Sequence, residues 1–455
     1  MTPIQELLSK QRQFFHSQQT KNVSFRIEAL KKLRSAITQH EQDIYQALQT
    51  DLHKSQFETY STEIGIVLEE IRYICKHLQS WAKPKRVKTA LTHFGSSGRI
   101  HAEPYGVTLI IAPWNYPFQL ALAPLIGAIA AGNCAVIKPS ELTPHTSALL
   151  RRLIEQTFPA EFISVVEGGI DVGNQLLAEK FDYIFFTGSV PVGRVIMEAA
   201  SKHLTPITLE LGGKSPCIVH RDANLRLAAK RIVWGKFLNA GQTCVAPDYL
   251  LIDSSVKQEL ISQLRAFIQE LYPKALTNPD YTHIVNRRHF ERLLSYLDQE
   301  RVILGGNVDS DALAIEPTLL DNVTWQDPVM QDEIFGPILP ILTYDELSEA
   351  ISKVRAQPKP LALYLFTESK ETKNLLMSQL SFGGGCINDT VFHIATPYLP
   401  FGGVGNSGIG SYHGKGSFDV FSHQKSVLKQ TTLFDIPVRY HTTKQALQKV
   451  KWFFK

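Results

Sequence analysis

Cysteine is scarce and scattered. Five occur in 455 residues, Cys75, Cys134, Cys217, Cys244 and Cys386, an odd number at wide spacing with no C-x-x-C. That excludes a disulfide framework and a cysteine zinc site, and it reads as free thiols in a reducing, cytoplasmic compartment. H-E-x-x-H and G-x-S-x-G are both missing, which removes the usual basis for a zinc hydrolase or a serine α/β-hydrolase; no metal site is expected. Charge of one sign is not in excess. Lys plus Arg number 47 and Asp plus Glu 43, too balanced for a dedicated nucleic-acid binder. The first fifteen residues hold no apolar core followed by a small-residue cleavage site, so no signal peptide is expected. Internal repeats and low-complexity segments are also lacking.

One uncharged run, Gly106 to Ile137, is long enough to span a bilayer. Pro113, Asn115, Pro117, Pro124, Gly127, Gly132 and Asn133 interrupt it, and a spanning helix must satisfy its backbone internally. The run parses better as a buried strand (Val107–Ala112), a loop, a buried helix over about residues 118–131, and a second strand (Ala135–Lys138).

At roughly 100–200 residues per domain, the length suggests two to four domains. The first eighty residues are helical in pattern: Ile27, Leu30, Leu33, Ile37, Ile44 and Leu48 recur at three- and four-residue steps, as do Tyr60, Ile64, Val67, Ile71, Ile74 and Leu78. The basic stretch Lys83 to Lys88, a Gly95–Gly98 turn and Arg99 to Pro104 read as a solvated hairpin arm. Beyond Val107, short apolar runs alternate with helical segments in two series. Val107–Ala112, Ala135–Lys138, Ile163–Glu167, Tyr183–Thr187 and Ile207–Leu211 form the first. Ser215–His220, Tyr249–Asp253, Val302–Leu304, Ile338–Thr343, Leu363–Thr367 and Gly385–Asn388 form the second. Fully apolar strands separated by helices predict parallel sheets covered on both faces, hence two α/β domains. Phe421 to Leu433 reads as an extended segment. From His423 onward, seven basic residues face one acid, Asp435, so the tail is basic and the remainder slightly acidic.

Several segments carry chemistry. Gly403-Val-Gly-Asn-Ser-Gly408 matches the bare dinucleotide fingerprint but lacks a preceding strand and a following helix, so it is rejected. Gly188-Ser-Val-Pro-Val-Gly193 lacks the Lys-Ser/Thr of a P-loop, yet it joins a strand to a helix N-terminus. There, free N–H groups and the helix dipole suit a pyrophosphate; an ordinary βα turn is the plainer reading. Cys244 lies in a polar, small-residue turn, unlike Cys134 and Cys217 among aliphatics; a catalytic role would need a base and an oxyanion donor from elsewhere. Glu210 closes an apolar strand, where an unpaired carboxylate is costly. Asn115 stands between two prolines, a fixed amide suited to an oxyanion.

Taken in order, Pro113-Trp-Asn-Tyr-Pro117, Lys138-Pro-Ser-Glu141, Phe186-Thr-Gly-Ser189, Leu209-Glu-Leu-Gly-Gly213, Gly241-Gln-Thr-Cys244, Glu333-Ile-Phe-Gly-Pro337 and Pro400-Phe-Gly-Gly403 resemble the aldehyde dehydrogenase superfamily across nearly the whole chain. The context Gln242-Thr-Cys-Val-Ala-Pro-Asp248, and the lack of about fifty N-terminal residues common in the family, resemble its class 3, fatty-aldehyde branch. The resemblance implies a Rossmann-type cofactor domain (1–82 and 103–208), a catalytic domain (209–400), and a bridging hairpin and tail (83–102 and 401–455) in a homodimer. It implies NAD(P)-dependent oxidation of an aldehyde to the acid. Cys244 would be the nucleophile, Asn115 and the Cys244 N–H the oxyanion donors, and Glu210 the activator of the hydrolytic water. Lys138 and Glu141 would approach the adenosine ribose. Gly188, Ser189 and Gly193 would lie at the pyrophosphate, and Glu333 with Phe335 at the nicotinamide ribose; Trp114 and Leu211 would complete the cofactor site. Glu141 should favour NAD over NADP by repelling a 2′-phosphate, although this branch often accepts both. The alternatives are a CoA-acylating enzyme, in which Glu210 would be wasted, and a cysteine esterase or thioesterase without a redox step. No motif demands a charged substrate, leaving aliphatic, aromatic and isoprenoid or carotenoid-derived aldehydes. The segment Lys444 to Lys455 is basic with Trp452, Phe453 and Phe454 at its end, and suits peripheral contact with an anionic membrane, packing on the enzyme's own body or capping of its substrate entrance.

Overall fold

The computed structural model describes residues 2–454; Met1, and the Lys455 that closes the basic tail, lie outside it. Both series of apolar runs form sheets. The first is six-stranded, in the order Gly408–Ile409, Ile207–Leu211, Tyr183–Gly188, Val107–Ile111, Cys134–Lys138, Ile163–Val165, and all but the glycine-rich edge strand pair in parallel. The second is seven-stranded, in the order Val302–Leu304, Thr318–Leu320, Ile338–Tyr344, Tyr249–Asp253, Pro216–Val219, Ala362–Phe366, Gly384–Ile387. It too is parallel except at the Val302 edge. The chain crosses from one sheet to the other at residues 212–215, immediately after Glu210 and Leu211.

The uncharged run folds as its breakers dictate. Helix Gln119–Ala131 is buried on every side, with Pro124 inside it, and ends at Gly132. Its C-terminal carbonyls are met by a buried cation, Arg26, whose Nη1 donates to Ala130 O at 3.2 Å; a positive charge there complements the helix dipole. Among the described residues, no helix is long and apolar enough to cross a membrane.

The N-terminal periodicity appears as helices Val23–Gln39, Glu41–Leu52 and Gly65–Trp81, whose apolar faces join the core of the six-stranded sheet. Tyr60 departs from that face and is exposed. It opens a π-helical turn, Tyr60–Ile64, which rotates the chain before Gly65 and points Glu63 into the protein.

The hairpin arm is real, but its turn lies earlier than expected. Lys85–Val87 pairs with Ser96–Pro104, so Gly95 ends the connection and residues 96–98 already belong to the strand. Ser422–Gln430 then pairs along the full length of Ser96–Pro104, making a three-stranded antiparallel sheet outside the two main bodies. The fold is therefore two α/β units with parallel sheets and a small projecting arm.

Candidate active site

Glu210 is positioned by pairing on both sides of its strand. Thr187 lies opposite it in the parallel register and Gly408 in the antiparallel one. The rejected fingerprint thus has another use: its last glycine, Gly408, starts an edge strand beside Glu210 rather than a helix. Glu210 is buried, and neither carboxylate oxygen has a hydrogen-bond partner. Burial pushes its pKa up to about 7, while the Cys244 thiol and Thr187 hydroxyl are near enough to pull it partly back.

Cys244 is presented by an unusual turn. After helix Leu225–Phe237, residues Asn239, Ala240 and Gly241 take positive φ in succession, at 56°, 50° and 73°. Such strain in non-glycine residues is costly and clusters at functional sites. At Gly241 a Cβ would stand 2.2 Å from Gly336 O, so only glycine fits. The half-buried thiol is held protonated: burial raises its pKa well above the ordinary value, and the negative charges of Glu210 and Glu333 add to that.

Asn115 reaches this turn from the loop after strand Val107–Ile111. Its Nδ2 donates to Gln242 O at 3.1 Å, and its own carbonyl accepts from Asn239 Nδ2 at 2.8 Å. Beside it, the Tyr116 and Thr243 hydroxyls are 2.6 Å apart. A cavity of about 710 Å³ meets Cys244 and Thr243 and is walled mainly by apolar groups, among them Ile66, Leu120, Trp234, Leu238 and Phe392. Its two cations are engaged, Lys230 with Glu270 at 3.2 Å and Arg231 with the Asn388 carbonyl.

The expected cofactor residues fall at the ends of the six-stranded sheet. Lys138 ends one strand, and its Nζ is 2.7 Å from Glu141 Oε2. Gly188 ends the next and Ser189 precedes helix Val190–Ser201 without a side-chain cap, so the first N–H groups of that helix are available to a phosphate. Gly193 abuts Leu211. Glu333 enters from the second unit and lies against Gly212, where a Cβ would be 2.0 Å from its Oε2. Burial, with Asp248 close by, raises Glu333 to about 8. Lys214 braces this segment: its Nζ is 2.5 Å from Asp248 Oδ2 and donates to the carbonyls of Val329 and Asp332. Trp114 and Phe335 meet edge to face at 5.4 Å. The donor set suits a dinucleotide: helix N–H groups for a pyrophosphate, a lysine–glutamate pair for one ribose and a glutamate for the other. Among the described residues, no cluster of His, Cys, Asp and Glu could hold a metal ion.

Other residues at the site carry no legible signal in the sequence. Lys54 and Glu63 form a fully buried ion pair behind Asn115. Lys236 is fully buried with no hydrogen-bond partner on Nζ, and burial lowers it to about 8. These are single charges in helical stretches, indistinguishable by pattern from solvated ones. Thr187 lies inside a motif, but its place opposite Glu210 follows only from strand register.

Residues 3–427 match the profile of the aldehyde dehydrogenase family. The chain is 52% identical to the 4,4′-diaponeurosporen-aldehyde dehydrogenase of Staphylococcus aureus, over the full length of both. It is 45% identical to a dimeric NADP-preferring aldehyde dehydrogenase of Canis lupus familiaris, covering 96% of each. Its fold superposes on a solved substrate-bound state of Staphylococcus aureus AldH with a TM-score of 0.97, at 52% identity and complete coverage of both chains. The chain belongs to the aldehyde dehydrogenase family, in its class 3 branch, and is an NAD(P)-dependent oxidoreductase acting on the aldehyde group.

Proposed function

We propose that Cys244 is the nucleophile, Glu210 the base of hydrolysis, and a long apolar aldehyde of isoprenoid or fatty character the substrate. The observation that supports this is Cys244 lining an apolar cavity, with Glu210 close enough to act on its thiol and Asn115 bonded to Gln242 of the same turn. The Cys244 thiol gives up its proton to solvent, and its sulfur adds as the thiolate to the aldehyde carbon. Asn115 spends one N–H on Gln242, leaving the second, with the Cys244 backbone N–H, for the oxyanion. Bound NAD(P) supplies the hydride acceptor. The acyl group then remains on Cys244 as a thioester until a water, giving its proton to Glu210, hydrolyses it. Lys138, Glu141, Gly188, Ser189, Gly193, Glu333, Phe335, Trp114 and Leu211 hold the dinucleotide.

The cavity supports the substrate class. Its apolar walls suit a hydrocarbon chain, and its only cations are occupied by protein partners. The Staphylococcus aureus relative carries a carotenoid aldehyde in its name. We assign the six-stranded body to the cofactor, the seven-stranded body to catalysis, and the projecting arm to a cytoplasmic homodimer. Water as the acyl acceptor is favoured over CoA because Glu210 is intact and adjacent to the thiol. The test is NADH formation from a series of aldehydes with and without CoA. Acid produced without CoA from long apolar aldehydes is expected. A strict CoA requirement would replace this reading with the acylating one, and no turnover of any aldehyde alongside hydrolysis of a p-nitrophenyl ester would leave only an esterase or thioesterase.

A further inference from the structure

We infer that the buried Lys54–Glu63 ion pair is a positioning device that fixes the oxyanion loop against the nucleophile turn; the inference rests on the roles proposed for Asn115 and Cys244. The two side chains are 0% exposed, and Nζ lies 2.6 Å from Oε1. Burying two charges generally stabilises a fold less than an apolar pair of the same shape, so such a pair is poor evidence of a purely stabilising role. Here each remaining valence is directed at one short stretch. Lys54 Nζ donates to Asn115 O at 3.3 Å and sits 4.3 Å from the Tyr116 ring centroid. Glu63 Oε2 accepts from the backbone N–H groups of Phe118 and Gln119 at 2.9 and 3.1 Å. The pair therefore grips residues 115–119 at both ends.

That stretch grips the nucleophile turn in its turn. Asn115 O accepts from Asn239, Asn115 Nδ2 donates to Gln242 O, and Tyr116 shares a hydrogen bond with Thr243, the residue before Cys244. The turn so held contains the positive-φ residues Asn239 and Ala240, a conformation that persists only where the surroundings over-determine it. Glu63 gets there through the π turn Tyr60–Ile64, a local irregularity of the kind found at functional sites. Neither Lys54 nor Glu63 lines the cavity, so both act through Asn115 and Thr243 rather than on substrate.

The test uses the full-length enzyme with Lys54→Met/Glu63→Gln, which removes both charges of the pair; Glu58, a buried carboxyl that Lys54 also faces, already has its pKa raised by burial and is free to take up a proton. We expect a folded protein whose first-turnover NADH burst is slowed about 10–100-fold, somewhat less than the ~10²–10³ for a lost oxyanion donor. The apparent affinity for NAD should hold. In an Asn115→Ala background the same double change should cost less than in the wild type, because the amide it positions is gone while the backbone carbonyl and the Tyr116–Thr243 contact remain. An unslowed burst in the folded double variant overturns the inference, as does a full additional loss in the Asn115→Ala background. Should the double variant not fold, Glu63→Gln alone, which keeps one carbonyl acceptor, is read the same way. An Asn115→Ala enzyme with a normal burst would overturn the oxyanion role itself, a distinct result that removes both.

Discussion

Glu210 and Cys244 act on each other's protons in opposite directions: the carboxylate raises the thiol pKa, and the thiol lowers that of the carboxyl. In the proposed reaction their two jobs are thereby separated in time. While the thiol is in place it faces an anionic neighbour; once acylated, it no longer competes for that neighbour's lone pairs. Glu210→Gln should therefore spare the first NADH burst and lower steady turnover by about 10²–10⁴-fold, the usual range for a general base. Rapid-mixing absorbance separates the phases. Loss of the burst along with turnover would place Glu210 before the thioester.

The same relationship makes a prediction about thiol chemistry without substrate. Glu210→Gln removes a negative charge that helps to hold the proton on Cys244. The thiol pKa should fall, and alkylation of Cys244 by iodoacetamide near neutral pH should speed up, followed by mass spectrometry of that peptide. Buried Cys134 and Cys217 serve as unreactive references, their thiols raised by burial. Unchanged alkylation would mean that Glu210 does not act on the thiol.

Stability should carry the mark of both buried glutamates. A carboxyl whose folded pKa exceeds its ordinary 4.5 favours folding most when protonated. That contribution is full below 4.5 and is lost as pH rises through about 7 for Glu210 and about 8 for Glu333. Thermal midpoints should fall between about pH 4.5 and pH 8, and Glu210→Gln should make that fall shallower below about pH 7. A midpoint independent of pH in the wild type would contradict the raised values.

Much of the fold was legible because most of its strands are largely apolar: Ile207–Leu211, Tyr249–Asp253 and Val302–Leu304 begin and end where the pattern says. Thr318–Leu320 was not, being three residues with no alternation to read. The motif loops disclosed Cys244, Glu210 and Asn115 because they combine rigid breakers with one reactive group. Lys54 and Glu63 stayed hidden. What marks them is complete burial against Asn115, 61 positions away from Lys54, and no local pattern encodes a contact across that separation. The positive φ of Asn239 and Ala240 was equally hidden, since neither residue type demands it.

Cofactor choice turns on a pair that motifs alone did not join. Glu141 was expected to repel a 2′-phosphate, but Lys138 holds it at 2.7 Å, and that bond helps keep its pKa below the ordinary value against partial burial. In the proposed cofactor site the charge expected beside the ribose is thus partly neutralised, which weakens discrimination between NAD and NADP. Glu141→Gln should free the Lys138 ammonium and raise kcat/KM for NADP relative to NAD. A ratio unmoved by the substitution would show that neither residue meets the ribose.

The last prediction concerns the tail. Ala446–Phe453 is helical, and Leu447, Trp452 and Phe454 are 67%, 73% and 78% exposed, so these side chains are not buried in the body of the enzyme. Lys444, Lys449 and Lys451 accompany them, a composition suited to an anionic lipid surface. A single short amphipathic helix binds weakly, and its electrostatic part is screened within about 10 Å at 0.1 M salt. Co-sedimentation with vesicles containing phosphatidylglycerol should therefore be partial at low salt and lost at high salt. An enzyme ending at Thr443 should not pellet at either. Equal pelleting of the two forms would leave the tail with no part in membrane contact.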